Sequence, residues 1–524
     1  MAPELGIPYS IPYHRNDGAF PIHGSSPDFI AKFTIPSDSY LLQVTPTPNG
    51  SGPALNYEVD WGDGTVTTHT NNNAAQHTYT TAGVYEVKWI EGNGNFNGVY
   101  QSSTSVRATL TEIVNWGNAT WTDMYQAFYA CTLLNKVAKG FPNTPNDEGV
   151  RDHRLFQGCN ALTALDFDGK LRMKGDWRYA FNGLRNLESF KANGAKMFDA
   201  TGSNFTDQMF YQSGIDTTSG VAYEMNDWVF DNCYFYRMLQ WMIINGDTLD
   251  LSNWVFTNPL GSLNFSSLSN TKSKTTSDET ITLDLSNWKG TSLFPSYADF
   301  YRLLYGTLYI KILDISNWEP TLVSRIYQFA QSNTTLEKVK GLANINITDV
   351  SASGGNRTLY NMFYNTYKYR FDSDSNLATD FASNCSVISM SSMFRGCGLN
   401  VPDEELANSQ PPNFNQINTA NCTSFSSMFY NFKGIGPLNF GTMNMNSIAS
   451  GGLGNIFRGT TLLDSSYGSQ NKVDWSAITL NPTTQQTSFG IFNTSSTTNI
   501  SIKEFDMFPS HDPLSTSNSI CISI

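Results

Sequence analysis

Several things are scarce in this 524-residue chain, and each scarcity excludes a class of function. Only 15% of residues are charged, against about a quarter in ordinary globular chains. Polarity comes instead from Asn, Ser, Thr and Gly. Lys and Arg number 32 against 45 Asp and Glu, for a net charge of −13, and no Lys/Arg-rich run occurs. Nucleic acid is therefore not an expected partner, because binding it rests on clustered positive charge. No apolar run approaches the roughly 20 residues that cross a bilayer as a helix, so no membrane insertion is expected. The seven cysteines, Cys131, Cys159, Cys233, Cys385, Cys397, Cys422 and Cys521, are odd in number and include no C-x-x-C. That argues against a disulfide framework or a zinc site. The six histidines form no H-E-x-x-H, and no P-loop, G-x-S-x-G or dinucleotide fingerprint occurs. DSDSN (372–376) starts like a calcium loop, but Leu377 stands where that loop needs Gly and Ser383 where it needs Glu. The expectation is a protein that is not an enzyme and uses no cofactor and no metal.

The first residues, MAPELGIPYSIPYHRNDGAF, lack the basic and apolar regions of a secretory signal. The protein is expected to act inside a cell or to leave by lysis or assembly. Residues 1–30 read as an extended Pro/Tyr-rich arm with little core of its own. Tyr9, Tyr13, His14 and Arg15 are its candidate docking residues.

Residues 31–108 alternate polar and apolar positions around Asp/Gly turns, as in YEVDWGDGT (57–65) and GVYEVKW (83–89). Period-two alternation of this kind predicts a small antiparallel β-sandwich. D-W-G-D-G-T followed by H-T-Y-T-T-A-G-V-Y-E-V resembles the polycystic-kidney-disease domain. The resemblance implies an immunoglobulin-like sandwich used as a spacer or adhesive module, without catalysis.

From residue 109 to 524 the chain repeats. An aromatic anchor recurs at Phe128, Phe156, Phe181, Phe210, Phe329, Phe363, Phe394, Phe429, Phe457 and Phe492, with Leu239 and Leu304 as substitutes. Spacings of about 25–35 residues predict a solenoid, here of about twelve repeats. Apolar residues before the anchor stand at helical spacing, as in Met390, Met393 and Phe394. A short alternating strand follows some ten residues later. Each repeat is thus read as a short helix, a turn and a strand. MSSMFRGC (390–397) and LDLSNW (249–254) resemble the leucine-rich-repeat-like arrays of BspA-type surface proteins. The fold class expected is mainly β with short helices, an immunoglobulin-like β-sandwich followed by a leucine-rich-repeat-like solenoid.

LDLSNW returns at 283–288 and as LDISNW at 313–318. Continued alternation puts Leu249, Leu251 and Asn253 inward, with the Asn bonding turn backbone. It puts Asp250, Ser252 and Trp254 on the other face. Trp116, Trp228, Trp254, Trp288, Trp318 and Trp475 end such segments. They are candidates for an aromatic row contacting a partner or a glycan, or else for packing at the solenoid edge. Cys131, Cys159 and Cys397 each follow their anchor by three residues, where other repeats carry Ser or Thr. They read as buried structural thiols.

The functional expectation is a non-catalytic structural or adhesive protein displayed on a virion surface, a bacteriophage capsid decoration or fibre-like protein. Its arm would dock on capsid or neighbouring virion subunits, and its solenoid would contact host-surface glycan or protein, with homo-oligomerisation open. The alternative is a BspA-like adhesin on a bacterial cell surface.

Overall fold

The computed structural model describes residues 28–44, 56–70, 73–91, 104–121, 124–144, 153–198, 206–231, 238–257, 268, 270–288, 298–299, 302–317, 323–345, 347, 358–383, 385–436, 438–440, 443–449, 452–463, 472–474, 479–480 and 501–503. The arm residues Tyr9, Tyr13, His14 and Arg15, together with Trp318, Trp475 and Phe492, lie outside them.

Alternation in the first hundred residues builds a sheet. Strands β1 (Phe29–Ile35), β2 (Tyr40–Val44), β3 (Tyr57–Asp60), β4 (Val66–His69), β5 (Ala75–Tyr79), β6 (Gly83–Glu91), β7 (Leu110–Asn115) and β8 (Lys136–Val137) open the chain. Six of them form one sheet in the order β4-β3-β6-β1-β7-β8, while β2 and β5 pair separately. The inward residues Phe33, Val59, Trp61 and Tyr79 are fully buried. β7 joins the two parts of the chain, pairing antiparallel with β1 and parallel with β8. The expected boundary at 108/109 thus falls just before a strand that both parts use. Phe29 packs edge-on against Trp121 with centroids 5.2 Å apart, so one hydrophobic core runs from the sheet into the repeats. A sheet that pairs with the first turn covers the solenoid's end, which would otherwise expose unpaired strand edges.

The repeats form a parallel β-solenoid with very few helices. Among the described residues the helical pieces are Thr104–Arg107, Leu342–Asn344 and Asp403–Leu406. Strands stack in register from turn to turn. Thr248–Asp250, Ile281–Asp284, Ile310–Asp314 and Lys338–Lys340 make one such ladder, aligning Leu249, Leu283, Leu313 and Val339. Arg172–Lys174, Lys196–Phe198, Val229–Asp231 and Val255–Thr257 make another.

The anchor segments are not the short helices that their apolar spacing predicts. Where its residues are described, such a segment is a pair of tight β-turns. Ala127 N–H bonds Met124 O and Cys131 N–H bonds Phe128 O, while Gln126 and Ala130 have φ of 55° and 57°. A positive φ at the third residue is what a type II turn requires. The pattern recurs at Arg154 and Gly158, Tyr179 and Gly183, Ser392 and Gly396, and Asn455 and Gly459. The remaining amides reach the next turn: Gln126, Phe128 and Ala130 donate to His153, Leu155 and Gln157. Backbone groups that a helix would satisfy within itself are satisfied here by a neighbouring repeat.

This bonding also corrects one anchor. The N–H of Phe128, Phe156, Phe181, Phe210, Phe363, Phe394 and Phe429 bonds the residue preceding the next anchor, and Leu304 N–H bonds Phe329 O. Ala330 therefore holds the inner position, and Phe329 stands one residue early. Elsewhere the anchors stack ring on ring. Phe128 and Phe156 are 5.3 Å apart at 14°, Phe363 and Phe394 6.1 Å at 9°, and Phe429 and Phe457 5.8 Å at 13°.

Candidate functional site

LDLSNW is divided differently from its expected faces. The strand stops at Asp250, and a β-turn closes from Trp254 N–H to Leu251 O. Period-two alternation ends where the strand ends. Trp254 is consequently buried with Leu249 and Leu251, while Asn253 is exposed. The turn amide is held by the aspartate: Asp250, Asp284 and Asp314 accept N–H from Ser252, Ser286 and Ser316 at 2.9, 2.9 and 3.1 Å. The asparagines form an outer amide row. Asn287 Nδ2 donates to Asn253 Oδ1 and Asn317 Nδ2 to Asn287 Oδ1, each at 3.2 Å.

Of the candidate contact tryptophans, the four within the described residues are core. Trp116, Trp228, Trp254 and Trp288 are 5%, 0%, 2% and 1% exposed. Trp228, Trp254 and Trp288 stack at 5.9 and 6.2 Å with interplanar angles of 14° and 15°. Trp116 Nε1 bonds Ala138 O at 3.1 Å and Trp288 Nε1 bonds Leu251 O at 2.7 Å, both in adjacent turns. Their rings face neighbouring turns, which leaves no indole face open to a partner.

The position three residues after the anchor is a buried donor column. Cys159 Sγ reaches Phe128 O at 3.0 Å, Ser213 Oγ reaches Phe181 O at 2.7 Å, and Thr460 Oγ1 reaches Phe429 O at 2.6 Å. The side chain serves an anchor carbonyl of the preceding turn. Burial pushes the Cys131 and Cys397 thiols up to about 12 and Cys159 well above its ordinary value. Thiols so shifted are not nucleophiles at neutral pH.

The acidic motifs are used internally. Asp63 Oδ2 lies 2.7 Å from His77 Nε2, and the His77 ring stacks on Trp61 at 5.1 Å. Asp372, in the calcium-like stretch, accepts N–H from Asp374 and Ser375 at 2.9 Å and pairs with Lys338 at 3.0 Å. Burial pushes its pKa upward, but Lys338 and those amides prevail and hold it at about 2. Among the described residues no group of three or more His, Cys, Asp or Glu is placed to hold a metal. A cleft of about 580 Å³ is lined by Asn376, Gln410, Pro411, Pro412 and Asn413 among others. Two of its amide side chains, Asn376 and Asn413, are already engaged, with Asn376 Nδ2 on Pro411 O at 2.8 Å, Asn376 Oδ1 taking Asn413 N–H at 2.7 Å and Asn413 Nδ2 on Leu377 O at 3.4 Å.

The outward wall of the anchor turns is the best candidate surface. The residue after the anchor is Tyr364, Arg395, Tyr430 and Arg458 in four successive turns, all half-buried. Their cross-turn backbone bonds hold them in one row. Arg395 Cζ lies 5.2 Å from the Tyr364 ring centre and 4.5 Å from that of Tyr430, and Arg458 Cζ lies 5.5 Å from Tyr430. Such stacking holds guanidinium groups in place at about 0.5–1 kcal/mol per exposed contact. The next column alternates Asn365, Gly396, Asn431 and Gly459. A Cβ on Gly396 would stand 2.7 Å from Asn365 Oδ1, so a large residue in one turn takes a small one in the next. A related cluster near the start of the solenoid places Arg107 and Arg154 at 4.8 and 5.8 Å from Tyr129. Sequence reasoning missed this wall, although its signal was present as FYN, FRG, FYN, FRG after successive anchors.

Among the described residues no helix is long and apolar enough to cross a membrane. The chain matches no family model, no curated protein and no solved structure.

Proposed function

We propose that the chain is a non-catalytic structural and adhesive protein displayed on a virion surface, as a bacteriophage capsid decoration or fibre-like protein. The reading gives the 1–30 arm the docking role and the solenoid the attachment role. The observation that carries it is the outer wall of in-register Tyr and Arg side chains, a repeated surface over a core that runs from Phe29 to Leu462 among the described residues. The polycystic-kidney-disease-like motif around Trp61 supports an immunoglobulin-like spacer between arm and solenoid. MSSMFRGC and LDLSNW favour the second reading, a BspA-like adhesin with leucine-rich-repeat-like turns. The test is to supply the full chain, and a chain lacking residues 1–30, to particles assembled without it. Incorporation of the full chain alone, followed by particle attachment to cells, supports the virion reading. Attachment to cells with no incorporation into particles favours the adhesin, and the absence of both incorporation and attachment overturns the proposal.

A further inference from the structure

We propose that the row Tyr364–Arg395–Tyr430–Arg458 binds an acidic polysaccharide carrying an anionic group on every second sugar. The inference rests on the attachment reading and names the ligand class of that surface.

The faces of these side chains are spent on one another. Each Tyr ring has an arginine of a neighbouring turn beside it, and among the described residues the phenol hydroxyls and guanidinium N–H groups have no hydrogen-bond partner. That is a donor-rich row, and its complement is a chain rich in acceptors. Among the described residues neither Arg395 nor Arg458 has an ion pair or hydrogen bond through its guanidinium. This is unlike Arg178, Arg185 and Arg370, each of which meets a carboxylate. The four segments that build the wall, 359–366, 390–397, 425–432 and 453–460, contain no Asp or Glu. In a chain of net charge −13, a wall free of acids with unpaired arginines is a local exception.

Spacing selects among anionic polymers. Successive turns are one strand spacing apart, so arginines in alternate turns stand about 10 Å apart, two spacings of roughly 4.8 Å. A polysaccharide of alternating uronic acid and uncharged sugar repeats its charge on that order of length. A nucleic acid places charges far more densely, and the surrounding negative chain would repel it. Asn365 and Asn431, each next in sequence to a tyrosine of the row, offer neutral hydrogen-bonding groups to the uncharged sugars between.

The test uses the full chain and four polymers in calorimetric titrations at low and physiological salt: hyaluronan oligosaccharide, chondroitin sulfate oligosaccharide, dextran and duplex DNA. The expected result is binding to hyaluronan, whose one anion per disaccharide is the uronate, with no binding to dextran; binding to chondroitin sulfate alone, which adds a sulfate on the intervening sugar, overturns the inferred spacing. Affinity should fall with salt and should drop about tenfold or more in Arg395→Gln/Arg458→Gln. Arg185→Gln, elsewhere on the surface, should bind as the parent does, and matching thermal midpoints exclude unfolding. No binding to either acidic glycan, an unchanged double variant, or equal binding to DNA overturns the inference. Cell attachment of the parent chain is measured alongside. Attachment without glycan binding removes this inference alone, whereas absent attachment removes the reading beneath it.

Discussion

The indole of Trp288 lies 6.2 Å from that of Trp254 at 15° from parallel, and its Nε1 donates to Leu251 O at 2.7 Å. One side chain thus fills the core, stacks on its counterpart, and bonds a turn some 37 residues earlier. The relationship makes these tryptophans scaffold, and that assignment is open to measurement.

Trp288→Ser should lower the stability of the chain by about 3–5 kcal/mol, the range for removing a large aromatic from a packed core. Denaturant titration followed by circular dichroism reads this directly. A variant of parental stability that only loses an interaction would show that the indole works at the surface.

The αL positions are equally testable. Gly396 has φ of 68°, a conformation that costs an L-residue about 1–2 kcal/mol. Gly396→Ala should destabilise by about that amount. Adding Asn365→Gly should return part of the loss, because the new Cβ approaches Asn365 Oδ1. Strictly additive effects in the double-mutant cycle would contradict this contact.

The thiols should be silent in the native chain. With Cys131 and Cys397 pushed up to about 12 by burial, alkylating reagent at neutral pH should leave both unmodified until denaturant is added. Mass spectrometry of peptides after timed labelling distinguishes them. Fast native labelling of either would place it at the surface.

Acid should weaken the repeats around Asp372. Its carboxyl titrates at about 2 in the folded chain, below its ordinary value of 3.8. The stabilisation is therefore present above about pH 4 and lost as pH falls through about 2. Its share is about 1 kcal/mol once partial exposure to solvent is discounted. Asp372→Asn should flatten the fall in stability between pH 4 and pH 2. An unchanged slope would mean that Lys338 and the loop amides do not favour the charged form.

Much of the molecule could be read from residues alone. The recurrence of Phe anchors predicted a solenoid, and Leu249, Leu283 and Leu313 do align in one ladder. Alternation around Trp61 predicted strands there, and Tyr57–Asp60, Val66–His69 and Ala75–Tyr79 fold as strands. Three readings failed for identifiable reasons. MSSMFRGC spaces its apolar residues as a helix does, but two consecutive β-turns bury the same positions. Which of them forms depends on where the free amides find acceptors, and those acceptors lie a full repeat away. Phe329 looked like an anchor because it is aromatic, yet the backbone ladder assigns Ala330. Asn253 and Trp254 exchanged faces because the strand ends at Asp250, after which period two no longer governs direction.

By itself, then, the sequence determined that this chain is a mainly β array with a repeated apolar core, because spacing and alternation are local properties. Only the tertiary structure decided which side chains face outward. Each turn's backbone is completed by the next turn, and stacking sets residues beside counterparts about 30 positions away. That stacking buried the tryptophans and exposed the asparagines. It also set Tyr364, Arg395, Tyr430 and Arg458, from four separate stretches of chain, in a single row.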